Sequence, residues 1–519
     1  MVEPGDFTAP RVRLAFPLRY ALGGLIASSI LALGAVGVGW LPVNGPLDNP
    51  IVSLLKYPEA GVFFSRGAVI IGGALLLQAW LILGSDILSG HVRDVRRLWT
   101  VLAVWAAPLV LAPPLFSRDV YSYYAQGLLV LKGVDPYTHG VASVPGWMNN
   151  GVDPMWQDTP TPYGPLFLSL SRGVAALVGP DNPYLAALLF RLVGLLGVVL
   201  MAYYVPRLAF LCGIDPSKAL WLGVLNPLVL MNFVSGIHND ALLVGLLVAG
   251  VCLVMERRPV LGVVLVTLAC MVKPIGLLAL PFVGILWAGT HQGLRQRVVA
   301  WLKTAGIAAS TYAVLAVAIG ASFGWIRALT TPGEVLTWLS PSTAIGLAIS
   351  KALSLVGLGE HTDLTVGIVR GIAMAAAVVI VAWLILRPQG RTAVRSMVLA
   401  YVVVIFLGPV VQPWYLLWPL PLAAASGLRP KELRGVLLAT AAFTLYGLCE
   451  TSASADGYLE LSDGLAMVAA AVAIGLAVWF YPRERALLFG GAVSFGLMPE
   501  DRPAQARHER LIVRPRSAT

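Results

Sequence analysis

Runs of about twenty apolar residues recur along the whole chain, separated by short polar segments. That length matches the roughly 30 Å hydrocarbon core of a bilayer at 1.5 Å of helix rise per residue. Inside lipid every backbone polar group needs an internal partner, so only helices and closed barrels can span it. Barrel strands alternate apolar and polar residues, whereas these runs are continuous. Only 12% of the 519 residues are charged and 58% are apolar, too little polar surface to cover a water-soluble body or to keep a chain disordered. The expected fold class is an all-α polytopic integral membrane protein.

The formal net charge is +10, but the 36 Lys and Arg residues fall in short clusters between apolar runs and form no single basic face. They read as topology signals, with no nucleic-acid partner implied. Cys212, Cys252, Cys270 and Cys449 show no paired spacing, so neither a disulfide framework nor a thiolate metal site is indicated.

Residues 1–19 form a basic cytoplasmic segment, and residues 20–41 a retained first span without a cleavage signal. Placing basic loops inside then puts segment 117–163 outside. The run 164–178 is short and carries Arg172. If it crossed, the clusters at Arg207 and Lys218, at Arg257 and Arg258, and at Arg295, Arg297 and Lys303 would all land on the wrong face, so it is read as not crossing. Residues 344–358 are read as re-entrant or flat. The result is a transmembrane domain over 20–481 with about 13–15 spans, a second external loop at 322–366, and a basic cytoplasmic tail at 482–519.

On this topology the unusual polar residues gather at the outer ends: Arg118 and Asp119, Asp153, Asp158, His238-Asn239-Asp240, Lys273, Gln412-Pro413-Trp414-Tyr415 and Glu450. Ionisable groups at membrane depth are costly, so a one-sided cluster points to a site. Asp119 follows a span and precedes Tyr121, Tyr123 and Tyr124, a carboxylate placed to accept a proton from a hydroxyl; interface capping beside an aromatic belt would produce the same pattern. The 238–240 triplet suits sugar contact, or capping of the next helix, better than metal binding. Lys273, set between two half-length apolar runs, either snorkels to the surface or neutralises an anion such as a lipid phosphate.

The stretches SRDVYSYYAQG, GVDPY, TPTPYGP, NPLVLMNFVSGIHND, VKP and QPWYLLWPLP, spread over residues 117–421, resemble the polyprenol-phosphate-mannose-dependent alpha-1,6-mannosyltransferases of actinobacterial envelopes. That family belongs to the GT-C class of membrane glycosyltransferases. The resemblance implies a lipid-linked mannose donor, a mannosylated glycolipid acceptor (the lipomannan and lipoarabinomannan core), membrane lipids as surroundings, no cofactor and no metal. It implies inversion at the outer face of the plasma membrane, with Asp119 as base and Lys273 and Arg118 on the donor phosphate. Substrate contacts would come from Tyr123, Tyr124, Asp158, Tyr163, His238, Asn239, Asp240, Gln412, Trp414 and Tyr415, with Asp158 as the reserve base. In one respect the chain departs from the wider class: its acidic residue follows the third expected span instead of the first. The competing readings are a transferase using another polyprenyl-phosphate sugar, a lipid-linked-sugar flippase or transporter, and a non-catalytic scaffold.

Overall fold

The computed structural model describes residues 18–42, 49–289, 292–320, 323–329, 331–334, 336–387, 391–450, 461–479 and 482–489. Expectations for the N-terminal segment before residue 18, the Glu450 side chain and the basic tail beyond residue 489 lie outside the described residues.

Every regular element among the described residues is a helix. The first four are α1 (Leu18–Val38), α2 (Pro50–Lys56), α3 (Glu59–Leu88) and α4 (Val95–Leu111), with α1 packed along both α3 and α4. Prolines open α2, α6 (Pro165–Val178), α7 (Pro183–Leu211), α8 (Pro216–Gly223), α10 (Pro259–Val272), α13 (Pro341–Leu355), α17 (Pro430–Glu450) and α19 (Pro482–Phe489). At a first helical position the missing N–H costs nothing, and the fixed φ suits the helix, so proline sets where a new segment begins. Acceptor side chains finish several of these starts: Asn49, Asp94 and Asp215 each accept from the backbone of the turn that follows. The remaining helices are α5 (Asp119–Leu131), α9 (Asp240–Met255), α11 (Leu280–Ala288), α12 (Leu294–Ile319), α14 (Thr362–Leu386), α15 (Ala393–Leu407), α16 (Leu420–Ser426) and α18 (Leu461–Trp479).

Among the described residues, six helices are long and apolar enough to cross a membrane, and one bent pair could make a seventh. This confirms a multi-pass helical membrane protein, but with fewer full-length spans than the 13–15 expected. The difference has a physical cause. Several apolar runs are divided into short helices laid end to end inside the bundle: α10 is followed by a 3-10 turn and α11, α15 by a 3-10 turn and α16, and a π-helical turn (Val229–Ser235) by α9 at a bend of 113°. Broken backbone at membrane depth is tolerated where protein, instead of lipid, surrounds it. Run 164–178 forms the 14-residue α6, and 344–358 falls within the 15-residue α13.

Close helix contact holds the core together. A Cβ on Gly197 of α7 would come within 2.2 Å of the Ala241 carbonyl group on α9, and one on Gly245 within 2.5 Å of the Gly197 oxygen. Lipid tails are as apolar as the helices, so such small-residue crossings, not hydrophobicity, select the partner. Trp80 of α3 and Trp221 of α8 stack at 5.0 Å, each donating its indole N–H to the other's carbonyl oxygen. Arg191, 2% exposed within α7, donates to the Val110 carbonyl at the end of α4 (2.8 Å) and to the Val234 carbonyl of the π turn (3.2 Å). Its charge thus satisfies carbonyls left over where helices end or loosen.

Candidate active site

Three helix breaks and two loops deliver the site. The loop after α4 turns through Phe116 (φ 68°) to present Asp119 as the first residue of α5, and the break before α9 turns through Ile237 (φ 56°) to present His238, Asn239 and Asp240. A non-glycine residue in the left-handed region costs about 1–2 kcal/mol, more for a β-branched one such as Ile237. The surrounding fold therefore imposes both turns, and a hydrogen bond from Leu115 N–H to the Ser235 carbonyl (3.4 Å) ties them together. The break after α10 supplies Lys273, and the break after α15 supplies Gln412, Trp414 and Tyr415. Gly164 fits the fourth wall. Its N–H donates to the Val272 carbonyl at 2.9 Å, and a Cβ there would lie 2.2 Å from the Met271 oxygen, so only glycine lets Tyr163 settle beside Lys273.

These segments enclose a cleft of about 100 Å³ lined by Asp119, Trp156, Tyr163, Lys273, Gln412, Trp414 and Tyr415, among others. The Asp119 carboxylate, 16% exposed, accepts from the Trp156 indole N–H at 3.1 Å and lies 3.7 Å from His238 Nδ1. The buried His238 ring stacks on Trp414 at 3.8 Å, and neither of its nitrogens has a hydrogen-bond partner among the described residues. Burial pushes the Asp119 carboxyl up to about 6, against the pull of the Trp156 N–H and the Lys273 charge. At neutral pH it is ionised yet basic enough to take a proton.

A second carboxylate forms the other pole. Asp240 is fully buried, accepts from Lys273 Nζ at 3.0 Å on both oxygens, and accepts from the Trp418 indole N–H at 2.6 Å. Lys273 thus neither snorkels nor waits bare for an anion: an internal carboxylate 33 residues upstream in sequence holds it, with Tyr415 and Trp418 rings 5.3 and 5.5 Å from its nitrogen. Asp119 and Asp240 each open a helix, whose N-terminal partial charge favours a carboxylate. The arrangement combines a basic carboxylate, a tethered cation and an aromatic wall in one cleft. It is suited to removing a proton from a hydroxyl and supporting negative charge close by.

Residues 21–289 match the family model described as "Alpha-(1->6)-mannopyranosyltransferase, N-terminal domain", and residues 342–493 match the MptB C-terminal domain. A probable alpha-(1->6)-mannopyranosyltransferase of Mycolicibacterium smegmatis is 36% identical over 500 residues, covering 89% of this chain and 88% of its own. An alpha-(1->6)-mannopyranosyltransferase of Mycobacterium tuberculosis is 35% identical, with 83% and 82% covered. Alpha-(1->6)-mannopyranosyltransferase B of Corynebacterium glutamicum is 32% identical, with 82% and 76% covered. The chain belongs to the alpha-(1->6)-mannopyranosyltransferase family.

In this family member the residues singled out from sequence divide into two groups. Asp119, Tyr163, Lys273, Gln412, Trp414 and Tyr415 line the cleft, with His238 and Asp240 directly behind them. Tyr123 supports the wall from below: its ring meets Tyr163 edge-on at 5.1 Å, and its hydroxyl accepts from Asn239 N–H at 3.5 Å. The Asn239 side chain is buried and its amide atoms have no partner among the described residues; it makes no capping hydrogen bond, and the Asp240 carboxylate is engaged with Lys273 and Trp418. Capping of α9 by either residue is therefore not what the structure contains.

Arg118, Tyr124 and Asp158 stand apart from the cleft lining. Arg118 pairs with Asp153 at 3.0 Å and lies over the Trp40 ring, Tyr124 donates its hydroxyl to the Gly179 carbonyl, and Asp158 is exposed. Sequence reasoning missed Trp156 and Trp418, whose indole N–H groups hold the two carboxylates, although Trp418 lies within the QPWYLLWPLP stretch. It also missed Arg370 of α14. That guanidinium donates to the Thr343 hydroxyl and to the Gly333 and Pro409 carbonyls, bracing the segments that bring Thr331 and Val410 to the cleft. A lone arginine in an apolar run was the available signal.

Proposed function

We propose that the protein transfers mannose from a polyprenyl-phosphate-mannose donor to the 6-hydroxyl of an alpha-1,6-mannan glycolipid, with inversion, at the outer face of the plasma membrane. The observation that carries this reading is the presence of Asp119 and the Asp240-held Lys273 in one cleft. The acceptor oxygen attacks the anomeric carbon while the bond from that carbon to the phosphate oxygen breaks. The proton of the attacking hydroxyl goes to Asp119, and polyprenyl phosphate leaves with the electron pair. Lys273 stabilises the leaving phosphate, charge developing next to a cation already fixed in place. His238, unpartnered and 3.7 Å from the base, orients the Asp119 carboxylate or the incoming hydroxyl. Trp414 and Tyr415 offer flat faces to sugar rings, and the lipid tails of both substrates keep them in the same leaflet.

The test is an assay of purified protein with a panel of polyprenyl-phosphate sugars and a synthetic alpha-1,6-dimannoside. Transfer from the mannosyl donor alone is the expected result. Transfer from a pentosyl or glucosyl donor in its place overturns the donor assignment, and full turnover by Asp119→Asn overturns the role of the base.

A further inference from the structure

A second and larger cavity, about 360 Å³, lies beside the Asp119 cleft and has no part in the chemistry above. Its walls include Gly133, Asp135, Tyr137, Leu168, Ser169 and Arg172, drawn from the turn after α5 and one flank of α6, and the end of α12 lines it on another side. Its volume falls within the roughly 300–1,000 Å³ typical of small-molecule sites. Asp135 lies in the GVDPY stretch and Arg172 interrupts the apolar run 164–178, and neither lines the catalytic cleft.

The chemistry of the lining narrows the ligand. Asp135 uses one oxygen to accept from Tyr137 N–H at 2.9 Å, and Arg172 has no partner among the described residues. No ion pair within 4.0 Å joins the two, so a carboxylate acceptor and a guanidinium donor face one cavity unspent. Opposite charges disfavour a net anion such as phosphate and suit a neutral ligand rich in hydroxyls, which can donate to one group and accept from the other. The cavity is also placed next to the cleft. The Tyr137 hydroxyl donates to the Tyr163 carbonyl at 3.0 Å, and the same short segment turns Pro162 and Tyr163 toward the Asp119 cleft and Pro165 toward the second cavity.

We propose that this cavity is a saccharide subsite, holding an internal sugar of the acceptor chain behind the terminal sugar presented to Asp119. The proposal rests on the acceptor being a mannan, as argued above. Arg172 is exposed and partnerless, and asparagine at 135 retains the oxygen that caps Tyr137, so Arg172→Met and Asp135→Asn leave the fold intact.

The experiment compares neutral octyl alpha-1,6-dimannoside with the corresponding tetramannoside. In wild-type enzyme the tetramannoside has the lower KM. In each variant its KM rises about tenfold, the weight of one charge-assisted hydrogen bond, while the dimannoside values stay unchanged. An equal rise for both acceptors, or none for either, overturns the subsite. Direct titration of the two mannosides into Asp119→Asn enzyme, with and without Arg172→Met, reads binding without turnover and so separates failure of the subsite from a wrong donor. Loss of affinity for inositol phosphate or inorganic phosphate, with mannoside affinity intact, identifies an anion site and overturns the proposal.

Discussion

Two ion pairs at the same end of the molecule use the same chemistry for different ends. Arg118–Asp153 spans 3.0 Å with side chains 19% and 39% exposed, its guanidinium resting on Trp40. Lys273–Asp240 also spans 3.0 Å, but with exposures of 13% and 0%, inside the cleft and under aromatic rings. An exposed pair is worth about 0–1 kcal/mol, whereas removing one partner of a buried pair strands a charge and costs about 3–5 kcal/mol. The first pair shapes a loop. The second holds a cation inside the cleft, where the proposed transfer would bring it an anion with the substrate.

That contrast can be broken in four ways. Asp240→Ala should lower stability by about 3–5 kcal/mol and abolish transfer, read as a drop in Tm in detergent; a drop no larger than that of Arg118→Ala would erase the distinction between the pairs. Asp119→Asn should cut kcat by about 10²–10⁴ without lowering Tm. The sign follows from the raised carboxyl. The folded state binds the Asp119 proton more tightly than the unfolded chain does, so stability falls as pH rises from 3.8 to about 6, and above that the charged form costs about 3 kcal/mol, which asparagine removes. Transfer by wild-type enzyme should fall about tenfold per pH unit below about 6 as Asp119 protonates; a profile flat to pH 4.5 would exclude a base of that character. Arg118→Ala should change stability by less than about 1 kcal/mol and leave donor KM within twofold, and a tenfold rise in donor KM would restore Arg118 to the phosphate.

The sequence shows why such pairs are hard to separate in advance. Arg118 and Asp119 are neighbours, as are Tyr123 and Tyr124, yet only Asp119 lines the cleft and only Tyr123 packs on its wall. Successive helical residues point about 100° apart, and the direction of the first is set only by packing. The helical membrane class was legible because apolar length is dictated by bilayer thickness. Span burial was not. About 67% of the apolar window of α3 is covered by protein, against 6% for α12 and 11% for α14, though all three pass the same test of length and composition. Lipid and protein interior are equally apolar, so hydropathy cannot tell a core helix from a lipid-facing one. The breaks at 238–240, 273–274 and 412–415 were visible as polar or proline interruptions. The pairing of Lys273 with Asp240 was not, since it joins residues 33 apart across two helices.

Arg191 has a consequence for how the chain is made. Its two carbonyl partners lie on either side of it in sequence, Val110 upstream and Val234 downstream. A chain emerges from its N-terminus, so when residue 191 reaches the lipid its second partner has yet to be synthesised, and a lone guanidinium within a membrane span is penalised by up to about 2.5–3.5 kcal/mol. The segment bearing Arg191 is thus expected to leave the insertion machinery in company with α4, as a pair, and to release that hold in part only once the π turn arrives.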